Sequence, residues 1–383
     1  MSIPMIKLET IMASRIGTVD PALFPDEQFD LYSIPAFDRG APDIAPGNSI
    51  GSTKQIVAPG DVLLSRIVPH IRRAWVVGNT NGRRIIASSE WIVFRSKKFD
   101  PEYLRNFLVS NPFHQEFMRT VSGVGGSLLR ARPAYVANIS IPLPPLPEQK
   151  LIAAILDKAD ELRVKRRAAI AKLDELGQAI FLEMFGDPIN NSQGLQLQPL
   201  GSLGSLDRGV SKHRPRNDPE LLNGPYPLIQ TGDVANCDGY IRNYSSTFSE
   251  SGLRQSKLWP VGSLCITIAA NIAKTGILQF DACFPDSVVG FNAKKQATTE
   301  YVRIWLSFLQ ASLEERAPES AQKNINLEIL RNLMIPVPSM MMQQNFANKI
   351  AFLEKMKSSQ KTSLAQFDDL FSSLQHKAFK DGL

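Results

Sequence analysis

Hydrophobic positions along the chain fall into two kinds of pattern, and each kind occurs twice. Short apolar runs broken by Gly, Pro, Asn and Asp fill residues 1–140 and 190–334. Ala74-Trp-Val-Val77, Trp91-Ile-Val-Phe94 and Leu264-Cys-Ile-Thr-Ile268 are examples, and their length and β-branched content predict strands. Pro101–Leu108, opened by a proline, and Glu300–Leu309 predict one helix inside each region. A longer pattern follows each region. In Glu148–Phe185, apolar or small residues recur at alternating three- and four-residue steps through Ile152, Ile155, Ala159, Leu162, Arg166, Ala169, Leu173, Leu176 and Ile180. That spacing predicts a coiled-coil seam on a helix ~57 Å long at ~1.5 Å per residue. Phe346, Leu353, Met356, Phe367, Leu370 and Leu374 predict a second such helix. Both seams are polar at the midpoint, at Arg166 and Gln360, which either pins register or marks a local break.

The chain is an internal duplication. Asn138-Ile-Ser-Ile-Pro-Leu-Pro answers Asn332-Leu-Met-Ile-Pro-Val-Pro at an offset of 194, and the same offset pairs Asp174, Leu176, Phe185 and Asp187 with Asp368, Leu370, Phe379 and Asp381. Glu102-Tyr103 answers Glu300-Tyr301 at 198, and Pro59-Gly60 answers Val261-Gly262 at 202, so loops of different length separate matching elements. Each domain leaves through a stiff Ile-Pro-x-Pro segment, read as a rigid exit rather than a PxxP ligand. The expected fold is α+β: two similar mixed α/β domains separated by a pair of long antiparallel coiled-coil helices, with pseudo-twofold symmetry. The boundaries are 1–145, 146–188, 189–338 and 339–383.

Composition narrows the class. Of 383 residues, 21% are charged and 43% hydrophobic, which suits folded globular domains and excludes wholesale disorder. No apolar run approaches the ~18 residues that span a bilayer, and the N-terminus lacks the pattern of a secretory signal. Cys237, Cys265 and Cys283 are odd in number and form no CxxC pair, so neither a disulfide framework nor a structural zinc site is expected, and a cytoplasmic location is.

Catalytic motifs are sparse. Asn111-Pro-Phe-His114 lacks the second proline of the Asn-Pro-Pro-aromatic motif of amino-methyltransferases, and reads as an Asn-Pro that ends a helix. Pro285-Asp286 with Asn292-Ala-Lys294 has an asparagine where a metal-dependent nuclease needs its second carboxylate. No phosphate-binding glycine loop is present, and no Ser, Cys and His spacing suggests a nucleophile with its base. No metal or cofactor is expected on this chain.

The basic clusters point to a polyanion. Net charge is +6, and between Lys54 and Lys98 nine Lys/Arg face only Asp61 and Glu90. Arg66, His70, Arg72, Arg73, Arg83 and Arg84 are the candidates of the first half. Arg208, Lys212, His213, Arg214, Arg216, Thr231, Asn271 and Lys274 are those of the second. Arginine and histidine in polar turns suit phosphate contact and base-edge reading, and clusters in both copies strengthen that reading. The helix cluster Arg163, Lys165, Arg166, Arg167 and Lys172 reads instead as a solvated or partner-binding face.

One family fits these residues. Pro144-Pro-Leu-Pro-Glu-Gln-Lys-Leu-Ile-Ala-Ala-Ile-Leu-Asp157, leading to Leu173-Asp-Glu-Leu176 and Met184-Phe-Gly-Asp187, resembles the central region of DNA-specificity (S) subunits of type I restriction–modification systems. Gln230-Thr-Gly-Asp-Val234 and Ser65-Arg66 with His70-Ile-Arg-Arg-Ala-Trp75 resemble their target-recognition domains. The second copy departs, with Ser339-Met-Met-Met-Gln343 in place of Pro-Leu-Pro-Glu-Gln. The resemblance implies a non-catalytic subunit whose two recognition domains each read one half of a split, asymmetric double-stranded DNA site. It implies helices that set the spacing and dock methyltransferase subunits. S-adenosylmethionine, ATP and Mg would sit on those partners and on a restriction/translocase subunit. The alternative is a single-chain nuclease or methyltransferase with an unrecognised site.

Overall fold

The computed structural model describes residues 3–79, 82–123, 129–213, 215–269, 272–315 and 325–380. The chain divides into two compact units, residues 1–167 with 362–383, and residues 168–361.

The first unit opens with strand Met5–Lys7, paired antiparallel with the exit strand Ser140–Pro142. The Ile-Pro exit is therefore fixed by pairing to the start of its own domain. Between them lie a three-stranded sheet and a five-stranded sheet. In the first, Val62–Ser65 is central, flanked by Ala74–Val76 and Trp91–Phe94. In the second, Gln28–Tyr32 runs parallel to Arg84–Ala87 and antiparallel to Asp43–Pro46. Helix Pro101–Leu108, capped by Asp100, buries Tyr103, Leu104 and Phe107 against the three-stranded sheet. Asn111-Pro-Phe-His114 starts a helix, Asn111–Met118, instead of ending one. Ser110 accepts the Phe113 N–H as N-cap, and Pro112 sits in the first turn, where a missing N–H costs nothing.

The second unit repeats this plan. Strand Leu197–Pro199 pairs with exit strand Met334–Pro336, and Leu264–Thr267 lies between Thr275–Leu278 and Val288–Ala293. Two further strands, Gly204–Arg208 and Gly239–Ile241, extend that sheet at its edges. The helix Gln296–Glu315 outruns its expected ends.

The two long helices, Leu146–Phe185 and Met340–Lys380, run unbroken through Arg166 and Gln360, so neither polar midpoint is a break. They enter each unit antiparallel. Arg163 donates to Asp368 at 2.6 Å in the first unit, and Lys357 pairs with Asp174 in the second. These are the same pair under the 194-residue offset. Most of the expected seam packs inward, with Ile152, Phe346 and Leu353 buried and Ile155, Ala159, Arg166, Ala169, Leu173, Ile180, Phe367 and Leu374 half-buried, but four of its positions do not. Leu162 is 40% exposed and Leu370 50%, and Leu176 and Met356 also face outward. Arg163, Gly177, Lys357 and Phe371 take the inward places, one residue further along. The reason is chiefly electrostatic. The aliphatic stems of Arg163 and Lys357 fill the seam while their charges meet Asp368 and Asp174, Arg163 stacks on Phe371 at 4.2 Å, and Gly177 admits Ile350.

The helix starts are alike despite their different sequences. Gln149 Nε2 donates to the Pro144 and Lys98 carbonyls at 2.7 and 3.1 Å, and Gln343 Nε2 donates to Pro338 at 2.9 Å. Both side chains are buried. Tyr103 and Tyr301 hydroxyls donate to the exit carbonyls of Pro142 and Pro336. Phe379 packs on Tyr103 and Phe107 in the first unit, as Phe185 packs on Tyr301 and Phe346 in the second.

Candidate nucleic-acid interface

In each unit the central strand of the repeated sheet turns into its neighbour through a loop of seven or eight residues. Residues 66–73 link Ser65 to Ala74, and residues 268–274 link Thr267 to Thr275. Both loops carry a non-glycine residue in the left-handed region, Val68 at φ 47° and Ala273 at φ 58°. For a β-branched valine this conformation is strained, and such strain persists only where surrounding contacts fix it. Val68 N–H donates to the Leu129 carbonyl, and Ile67 bridges to Arg130. In the second loop Ala273 N–H donates to the Thr267 carbonyl, and the Ile268 carbonyl accepts from Ile325.

The first loop projects His70, Ile71 and Arg72 to solvent. Arg72 steadies itself on the Val109 carbonyl at 3.2 Å and has no carboxylate partner among the described residues. His114 lies nearby. Burial, and then the Arg72 and His70 charges, hold its imidazole below the usual range. Arg66 is 3.3 Å from Glu90, which also takes Arg130.

The other first-half candidates do structural work. Arg73 is 8% exposed and holds Asp38 through two 2.8 Å bonds. Arg83 meets Asp30 at 2.7 Å. Arg84 grips Glu27 bidentately and stacks on Phe24 at 4.1 Å. Their carboxylate partners lie 35 to 57 residues upstream, so the charge run in the sequence overstated the free charge. Arg73→Ala is expected to cost ~1–3 kcal/mol in urea unfolding, whereas Arg72→Ala leaves stability within ~0.5 kcal/mol.

In the second unit Arg208 and Lys212 are exposed and have no side-chain partner among the described residues. Gly209 next to Arg208 has no room for a Cβ, which would stand 2.2 Å from the Phe284 carbonyl, so the strand end closes on the Phe284–Pro285 segment. Gln255 Oε1 accepts the Lys212 and His213 N–H groups at 2.6 and 3.0 Å and holds the basic loop up. His213 meets Asp218 at 3.0 Å, and Arg216 pairs with Asp286. Arg216 and Thr231 come together with Ser211, Gln230 and Ser287 around a cleft of about 210 Å³, floored by Leu228 and Phe248. Thr231 opens a short helix capped reciprocally by Gln230 and Asp233. Lys274 stands apart from this cleft, donating to Gln310 at 3.3 Å. Arg214 and Asn271 lie outside the described residues.

Arg130, Arg132 and Gln255 escaped the reading of the sequence. Arg132 donates to Ser122 at 2.7 Å and lies over exposed Tyr135. An Arg-Ala-Arg stretch beside an aromatic was visible there, but its pairing to the first loop was not. Of the nuclease-like residues, Asp286 pairs with Arg216, and Asn292 accepts from Ser263 at 2.7 Å. No described helix is long and apolar enough to cross a membrane.

Comparison with known proteins matches both copies. The model of the type I restriction modification DNA specificity domain covers residues 48–172 and 198–366. The chain is 25% identical to the type I restriction enzyme EcoBI specificity subunit of Escherichia coli over 63% of its own length and 58% of that protein's. It spans about three fifths of the length of the curated relatives it matches. A chain from a structure of a type I R-M system covers all of it with a TM-score of 0.62 at 19% identity, over 98% of that chain. The type I restriction–modification S subunit of M. genitalium covers 99% of it, over 97% of that chain, with a TM-score of 0.58 at 13% identity. The low identities carry the fold, two mixed α/β domains joined by long helices. The two-segment match carries the family: this chain belongs to the type I restriction modification DNA specificity domain family.

Proposed function

We propose that the chain gives sequence specificity to a type I restriction–modification complex. Each α/β body reads one half of a split, asymmetric DNA site. The observation that carries this is the pair of loops 66–73 and 268–274, each bent at a non-glycine residue in the left-handed region, together with the exposed Arg72 on the first loop and the exposed Arg208 and Lys212 in the second unit. The long helices act as the spacing element and as the dock for methyltransferase subunits. Support for docking comes from the seam residues that turned outward. Leu162 and Leu370 in the first unit, and Leu176 and Met356 in the second, present matching apolar positions under the same offset. Two equivalent patches suit two copies of one partner. S-adenosylmethionine, ATP and Mg belong to the methyltransferase and restriction/translocase subunits, and the chain itself is non-catalytic and cytoplasmic. The test is a gel shift with random and genomic duplexes, run beside turnover assays. Sequence-specific binding in the presence of methyltransferase subunits is expected. The purified chain alone should show no methyl transfer, strand cleavage or ATP hydrolysis. Turnover that survives extensive purification would instead favour the single-chain enzyme.

A further inference from the structure

Asp238 stands in the turn between helix Thr231–Ala235 and strand Gly239–Ile241. Its Oδ1 accepts from Lys357 Nζ at 2.5 Å, and its Oδ2 pairs with Lys361. Lys357 is only 6% exposed at its side chain and also pairs with Asp174. One ammonium thus ties three elements of the second unit together: the α/β body, the first long helix and the second. A turn earlier on the second helix, Glu354 meets Arg242 at 3.4 Å. The turn itself is shaped to reach the helix. Asp238 is held at φ 54°, and Gly239 lies so close to Arg303 that a Cβ would come within 2.5 Å of its Nη1.

The position of this tie matters. Lys357 is 17 residues beyond Met340, the start of the helix, or ~26 Å along its axis at ~1.5 Å per residue. The exit strand anchors the body near the helix start. A second anchor ~26 Å away converts a pivot into a fixed angle. The first unit has a tie of the same kind from other residues, with Arg105 and Asn106 both donating to Asp157. Under the 194-residue offset Asp157 falls on Ala351, so the duplication did not supply the second tie.

We infer that Asp238 is a positioning residue that fixes the angle of the second recognition body on the helix pair. Through that angle the assembled complex discriminates the number of base pairs between the two half-sites. The inference rests on the function proposed above. It is tested by fluorescence anisotropy of the complex with methyltransferase subunits. The probes are duplexes that carry both half-sites at the native spacing and at one pair fewer or more. Asp238→Asn should lower the preference for native spacing about tenfold, leaving base preferences within each half unchanged. Lys361→Gln, at a half-exposed position with little bearing on folding, should shift it the same way by a smaller factor. Equal loss on all three duplexes, or no change in the ratio for either variant, overturns the inference and leaves the proposed function standing. A wild-type complex without sequence preference overturns both.

Discussion

Alanine at Arg72, Arg208 and Lys212 together is expected to weaken DNA binding by the assembled complex about 10²-fold near 0.15 M salt, on cognate and unrelated duplexes alike. These three cations are exposed and carry no carboxylate partner among the described residues. Each phosphate contact contributes a slope of about −0.9 to the dependence of log affinity on log salt. Three lost contacts therefore remove about 2.7 from the slope, which is about two decades of affinity at 0.15 M relative to 1 M. Arg73, Arg83 and Arg84 serve as the control, because Asp38, Asp30 and Glu27 already neutralise them. Replacing those three should lower stability and barely move the slope. A slope unchanged by the first triple, or moved more by the second, would place the DNA surface elsewhere. Should one of the exposed cations read a guanine edge, its single variant departs from uniform loss, costing ~1–3 kcal/mol at one base position.

Lengthening both helices by four residues, after Ala171 and after Ala365, is expected to lengthen the methylated site's spacer by one or two base pairs with both half-sites unchanged. Four residues add ~6 Å of helix, and two base pairs add ~7 Å of duplex. The rotations also run close: four residues leave ~40° over a full turn, and two pairs turn the duplex by ~70°. The residual ~30° should weaken binding without abolishing it. Both helices must change together, because Arg163–Asp368 and Lys357–Asp174 lock their register, and an insertion in one would pull these pairs out of step. The added four residues form a stutter that the seam takes up by local unwinding. Methylation mapping checks this. A folded double-insertion variant that keeps the original spacing would show that the helices are not the ruler.

Much of this fold was legible because duplication repeats a signal. Glu102-Tyr103 and Glu300-Tyr301 marked the helix that buries each tyrosine, and the Ile-Pro exits marked both domain ends. The seam was legible except at Leu162, Leu176, Met356 and Leu370. Leucine at 162 and 176 outranks arginine at 163 and glycine at 177 on any hydrophobic count, but a cation with an aspartate opposite and a glycine against an isoleucine pack better. The site was legible in part for a related reason. The sequence showed the arginines and not their distant carboxylates, so Arg73 and Arg84 looked as available as Arg72. Gln255 gave no signal, since its role comes from supporting the Lys212–His213 backbone from 42 and 43 residues away.

The most direct test of the account changes one body and reads both half-sites. Arg216 and Thr231 line the cleft of the second unit. Cells carrying Arg216→Ala with Thr231→Ala in this chain, together with its methyltransferase subunits, would be compared with wild type by genome-wide mapping of methylated bases. The account predicts a split motif in which one half relaxes at one or more positions while the other half and the spacer stay the same. A motif unchanged in both halves, or altered in both, would contradict it.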